Sequence, residues 1–196
     1  MFLVFSNAAF SQTKANAQPG KWSGQLAMND RLFIPFTLEI SELKNKQIFE
    51  IVNGKERITL QLSNDGDSII GRFPELDAFL KFKFSDTGEE LRGYWLNLNK
   101  KTQTKIPING WIEKTVTELS RETSNINGKW KATFSPNSEN PDVTVGIFKQ
   151  TAGLINGTFL TETGDYRFLS GTIGGGQFSM STFNGSWAFL FEGKVV

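Results

Sequence analysis

Nowhere in this chain do apolar residues keep helical spacing for more than two turns. From Gly20 onward the sequence alternates short runs of β-formers with tight-turn residues. The first series of expected strands is Lys21–Met28, Phe33–Ile40, Gln47–Val52, Glu56–Leu62, Ser68–Phe73, Ala78–Phe84, Glu90–Asn97 and Ile106–Glu113. Asn29-Asp30, Asn53-Gly54, Asn64-Asp65-Gly66 and Asp86-Thr87-Gly88 separate them, residues whose side chains or missing Cβ suit a sharp reversal. Lys81-Phe82-Lys83-Phe84 alternates strictly, so one face of that strand is wet and the other buried. A second series follows at Lys129–Ser135, Val143–Lys149, Leu154–Thr161, Tyr166–Ile173, Gln177–Phe183 and Trp187–Val196. The fold class is therefore all-β, an antiparallel meander in barrel-like or sandwich units.

Both series open alike, with Gly20-Lys21-Trp22 and Gly128-Lys129-Trp130, which suggests a duplicated unit of roughly a hundred residues. The expected organisation is a shortened export signal over 1–11, a flexible leader over 12–19, a first β unit over 20–115, a linker over 116–127 and a second β unit over 128–196. The second unit has fewer strands and stops in a strand-like run, so the natural polypeptide is expected to continue past Val196. Gly-x-Trp also opens lipocalin-like and avidin-like barrels, where the Trp closes one end. Each Trp is either such a plug or the wall of a ligand cavity.

Eighteen Phe and five Trp give enough apolar bulk for a core without covalent help, and they suit the half-buried surface of a sheet. The formal net charge is +1, with both signs interspersed, so no basic stripe invites nucleic acid. The chain has neither Cys nor His. That excludes thiol and Ser-His chemistry within it, together with the main zinc and copper ligands. No alternating Asp/Asn run marks a Ca²⁺ loop, and no cofactor is called for. Met1–Phe5 is apolar, and Ala9 and Ser11 stand where a signal peptidase reads small residues, although the usual basic start is missing. A periplasmic or secreted location is expected, with no transmembrane segment.

Residues Gly20-Lys21-Trp22, Ile34–Ile40, Asn53–Ile58, Gly66-Asp67-Ser68 and Leu91–Trp95 carry a family resemblance. It is strongest from Val145–Gln150 through Gly157–Gly171 to Ser181–Gly185. In these segments the chain resembles the amino-terminal β region of secreted TlpA-like thiol–disulfide oxidoreductases of the thioredoxin/peroxiredoxin superfamily. The resemblance implies a thioredoxin-like domain with a Cys-x-x-Cys pair downstream in the same polypeptide, as partner to a β region without thiols. The family often has Asp where this chain has Asn184. It carries over no catalytic residue.

The residues themselves offer one constellation. Thr161, Thr163, Asp165, Tyr166 and Arg167 surround an expected Gly164-Asp165 hairpin turn, with Ser181, Thr182 and Asn184 from a neighbouring turn. Arg167 would clamp a carboxylate or phosphate, and Tyr166 would add a ring and a hydroxyl. The plainer reading has Asp165 shaping a turn, Tyr166 packing and Arg167 paired with Glu162. Glu89-Glu90 with Arg92, and Lys100-Lys101 near Lys105, read as solvated loops.

Three functions follow. The first is a non-catalytic accessory or substrate-presenting β domain of an exported thiol–disulfide oxidoreductase. The second is a barrel holding a small apolar ligand, which requires a deep Phe/Trp-lined cavity and not a filled interior. The third, a carboxylate hydrolase, needs two acids facing across a cleft, and no pair of segments argues for it.

Overall fold

The structure, a computed structural model, describes residues 17–114 and 124–195. These residues form two curled antiparallel sheets and no helix. The export-signal expectation, most of the leader and residues 116–123 of the linker lie outside the described residues. The first sheet comprises β1 (Gly20–Ala27), β2 (Phe33–Leu43), β3 (Lys46–Asn53), β4 (Glu56–Thr59), β5 (Gln61–Asp65), β6 (Ser68–Arg72), β7 (Ala78–Phe84), β8 (Glu90–Asn97) and β9 (Ile106–Ile112). The second comprises β10 (Gly128–Phe134), β11 (Asp142–Thr151), β12 (Leu154–Thr161), β13 (Gly164–Asp165), β14 (Leu169–Gly174), β15 (Gln177–Phe183) and β16 (Ala188–Lys194).

The first sheet is an up-and-down meander that curls until β9 pairs with β1. Leu60 divides one bent strand into β4, which pairs with β3, and β5, which pairs with β6. Counted that way, the sheet is a nearly closed barrel of eight strands. Its inward positions are the alternating apolar residues of the sequence, and they fill it: Trp22, Phe36, Phe49, Leu80, Phe82 and Trp95 are all buried. Lys81 and Lys83 point outward, as the alternation required, and pair with Asp65 and Asp67 across the sheet.

Each barrel end has its own closure. At the end where β1 begins, Trp22 packs edge-on against Phe84 (5.4 Å) and donates its indole N–H to the Gln18 carbonyl (3.0 Å). Ala17 is buried there, and the Gln18 N–H bonds the Gly88 carbonyl (3.2 Å). The last residues of the expected leader thus belong to the barrel.

At the other end the turn between β15 and β16 enters the barrel. Phe183 is 0% exposed and meets Phe36, Phe73 and Trp95 at centroid distances of 5.4, 5.4 and 5.2 Å. Asn53 grips its backbone from both sides. The amide nitrogen of Asn53 donates to the Phe183 carbonyl (2.9 Å), and the Phe183 N–H donates to the amide oxygen (3.0 Å). Trp95 Nε1 donates to the Gly185 carbonyl (3.0 Å), and Asn97 Nδ2 to the Ser186 carbonyl (3.1 Å). Gly185 has φ +89°, and a Cβ there would lie 2.4 Å from the Phe73 ring, so only glycine fits.

The second sheet runs β10-β11-β12-β14-β15-β16, with the short β13 also on β12. It curls into a half-barrel around Ile155, Phe159, Leu169, Ile173 and Met180. The opening Trp130 repeats the bond of Trp22, its Nε1 donating to the carbonyl four residues back, Ile126 (2.8 Å). It does not repeat the burial. Trp130 is 43% exposed, so only the first Trp is a core plug. Ser124, Ile126 and Asn127, the described end of the expected linker, are all tied to Gln150.

Candidate functional site

The hairpin expected across Gly164-Asp165 is built differently. Glu162 and Thr163 make the turn, while Gly164 and Asp165 are already strand, paired with Thr161 and Leu160. The ladder resumes only at Leu169, opposite Gly157, so three residues, Tyr166 to Phe168, face two on β12. This is a β-bulge, and bulges re-aim side chains. Asp165 Oδ1 accepts the Arg167 N–H (3.0 Å) and holds Arg167 at φ +55°, an uncommon conformation for a residue with a side chain. The sequence missed this because Gly-Asp serves equally as a turn and as the lead into a bulge.

The bulge, the inserted turn and the β6–β7 turn enclose a groove of about 500 Å³. Asp165, Tyr166, Arg167 and Asn184 line it, together with Thr182. Thr161 and Thr163 do not. The Thr161 hydroxyl bonds the Gly164 carbonyl (2.8 Å) and lies 3.3 Å from that of Thr163, closing the Glu162-Thr163 turn. Asn184 is also engaged in shaping backbone, its Oδ1 accepting the N–H groups of Ser186 and Trp187, both at 3.0 Å. The turn uses only this side-chain oxygen as an acceptor, the Asx pattern that Asn and Asp serve alike. Ser181 donates to the Pro35 carbonyl (2.6 Å), fastening β15 to the rim of the first barrel.

Arg167 does not pair with Glu162. Its Nε lies 3.5 Å from Glu56 Oε1 on the first sheet, and the other oxygen of Glu56 accepts the Asn53 amide (3.1 Å). The groove is thereby wired through Glu56 and Asn53 to the backbone of Phe183. The Arg167 side chain is 60% exposed and the Glu56 side chain 12%, so the guanidinium keeps its terminal nitrogens for a further anion. Tyr166 packs in an aromatic cluster with Phe134, Phe159, Phe189 and Phe191. That cluster reaches the groove through Phe189, on which the exposed Trp187 stacks at 6.1 Å.

Trp187, Phe189 and Glu56 were not legible as site residues. The signal available was a second internal repeat: Phe73-Pro74-Glu75-Leu76-Asp77-Ala78-Phe79-Leu80 matches Phe183-Asn184-Gly185-Ser186-Trp187-Ala188-Phe189-Leu190 at its Phe and its Ala-Phe-Leu. Both turns line the groove. Lys100, expected to be merely wet, stands over the rings of Trp95 (5.1 Å) and Trp187 (5.4 Å) beside the same turn. Glu90 does pair with Arg92 (3.5 Å), while Glu89 pairs with Lys114 (2.7 Å), and both pairs are on the surface.

Two further grooves lie outside the barrel. One of about 700 Å³ separates the outer faces of β1–β3 from β12, β14 and β15, and is lined by hydroxyls and amides mixed with apolar side chains, among them the exposed Phe33 and Trp111. The other, of about 780 Å³, has Phe148 and Phe168 as walls and Lys55, Lys149 and Arg167 at its margin. Among the described residues no three of Asp, Glu, His or Cys converge as a metal site, and no helix is long and apolar enough to cross a membrane. No protein-family model and no curated protein matches the chain.

Proposed function

We propose that the chain is a non-catalytic β domain of an exported thiol–disulfide system, which holds a segment of substrate protein for a thioredoxin-like domain of the same polypeptide. The resemblance to the β region of TlpA-like oxidoreductases motivates the redox setting, and its strongest segments supply the bulge and the inserted turn. The absence of Cys and His from the sequence fits a role in holding and not in reacting. Location in the cell envelope is part of the same reading.

The observation that carries the binding role is the convergence of Arg167, Tyr166, Trp187 and Asn184 on one open groove. The barrel interior is filled by its own side chains, which favours this junction over the barrel as the place to look for binding. A guanidinium with free terminal nitrogens beside a stacked indole suits an acidic, aromatic-containing peptide. The test is a tryptophan-fluorescence titration with an acidic tetrapeptide containing one Phe. Saturable binding is expected, and Arg167→Ala should weaken it at least about tenfold, the worth of a charge-assisted bond. Arg167→Lys should recover only part, since an ammonium loses the fork geometry. No saturation at millimolar peptide, or equal affinity in Arg167→Ala, sinks the reading.

A further inference from the structure

The second sheet copies the first strand by strand until the copy runs out. The β2–β3 turn is Lys44-Asn45, with φ +50° and +60°, and the β11–β12 turn is Ala152-Gly153, with φ +48° and +75°. Both are two-residue turns with two left-handed residues, at the same interval as Trp22 and Trp130. Further on, at a slightly longer interval, Glu75 (φ +60°) matches Gly185 (φ +89°), and β7 and β16 both open with Ala-Phe-Leu. The correspondence is therefore β1 with β10, β2 with β11, β3 with β12, β4–β5 with β13–β14, β6 with β15 and β7 with β16. Nothing among the described residues corresponds to β8 and β9.

In the first unit that hairpin closes the barrel, because β8 pairs with β7 and β9 pairs with β1. In the second unit the equivalent edges are unpaired among the described residues: β16 bonds only β15, and β10 only β11. The side chains between these edges are those of a barrel interior left partly uncovered. Phe134 of β10 and Phe191 of β16 stack at 6.0 Å, both partly exposed, with Trp130 at the β10 edge. Unpaired edges with an apolar face are what a further strand pair would satisfy.

We propose that the gap between β16 and β10 seats a two-stranded antiparallel β-hairpin, the second repeat's counterpart of β8–β9, supplied by the same polypeptide after β16. It pairs with β16 as β8 does with β7, and with β10 as β9 does with β1. Alternate apolar side chains cover Phe134 and Phe191, and the half-barrel becomes a second eight-stranded barrel. The repeat register carries this assignment.

Two measurements test it. The reading frame encoding the chain should continue past Val196 with two alternating apolar runs joined by a loop, within about thirty codons, the length of one more hairpin and its connections. A stop codon, or a continuation without the two runs, overturns the proposal. In the chain ending at Val196, the β10 and β16 amides that do not face β11 or β15 should exchange hydrogen within about tenfold of coil rates, while β15 amides stay protected. Slow exchange of those edge amides overturns it too, whether in a monomer, where the chain's own residues already close the gap, or in a dimer, where a second copy does.

Discussion

At the residue scale, Asn53 holds the most consequential bonds. It is buried, and its one amide satisfies both the N–H and the carbonyl of Phe183, which water does not reach. Removing it strands two buried backbone groups and unties Glu56, so Asn53→Ala should cost about 2–4 kcal/mol. Chemical denaturation checks this, and a loss under about 1 kcal/mol would show that water replaces the amide. The ion pairs are of another kind. Asp67 is held below its usual carboxylate range by the Lys83 hydrogen bond, and Glu89 by that of Lys114, whereas the Asp65 hydrogen bond holds Lys81 above the usual range. The two depressed carboxylates contribute stability that is present above their unfolded values, near 4, and is lost as pH falls through their folded ones. The raised lysine contributes below its unfolded value, near 10.4, and loses this as pH rises through its folded one. All three move away from neutrality, and the sequence has no His. Thermal midpoints should therefore be level from about pH 6 to 8 and fall first in acid, modestly because the pairs are exposed. A midpoint drifting across the neutral window would contradict this.

At the element scale, the strands were legible because alternation states which face is buried, and the expected runs coincide with the observed strands to within a few residues in nearly every case. Two elements escaped. The bent strand β4–β5 divides at Leu60, which is buried, with its N–H donating to the Phe49 carbonyl (2.8 Å), and an apolar run does not say that its strand changes partners midway. The bulge at Tyr166–Phe168 depends on Asp165 accepting from Arg167, a local bond indistinguishable in sequence from an ordinary Asp-initiated turn. The site was legible in part for the same reason. Asp165, Tyr166, Arg167 and Asn184 were singled out because turn residues with chemistry stand out, whereas Trp187 read as the start of a strand and Glu56 meets Arg167 only through the docking of one sheet on the other. Phe183-Asn184-Gly185 reads as any hairpin tip. Its entry into the barrel rests on Asn53, Trp95 and Asn97 meeting at one rim from two distant strands, and no local pattern announces that.

At the scale of the whole molecule, the inserted turn decides whether two sheets behave as one body. Equivalent residues of the two repeats, Phe73 and Phe183, meet edge-on at 5.4 Å inside the first barrel. A unit that lends its hairpin to another's core cannot unfold without opening that core, and the half-barrel has few buried residues of its own to stand on once the contact is lost. The described chain should therefore melt in one transition, with tryptophan fluorescence and far-UV signals coincident, since Trp22 and Trp95 report the barrel and Trp130 and Trp187 the second sheet. Phe183→Ala removes a fully buried ring and should cost about 3–5 kcal/mol, which for a chain of this size lowers the midpoint by about 10 °C. It should also uncouple the sheets, so that the two signals separate and the second sheet melts first. Arg167, Tyr166 and Trp187 all stand on the second sheet, so peptide binding should raise the wild-type midpoint and, in Phe183→Ala, the first transition and not the second. Two separate transitions in the wild type, or a Phe183→Ala chain that still melts as one, would show that the hairpin rests in the barrel without binding the halves together.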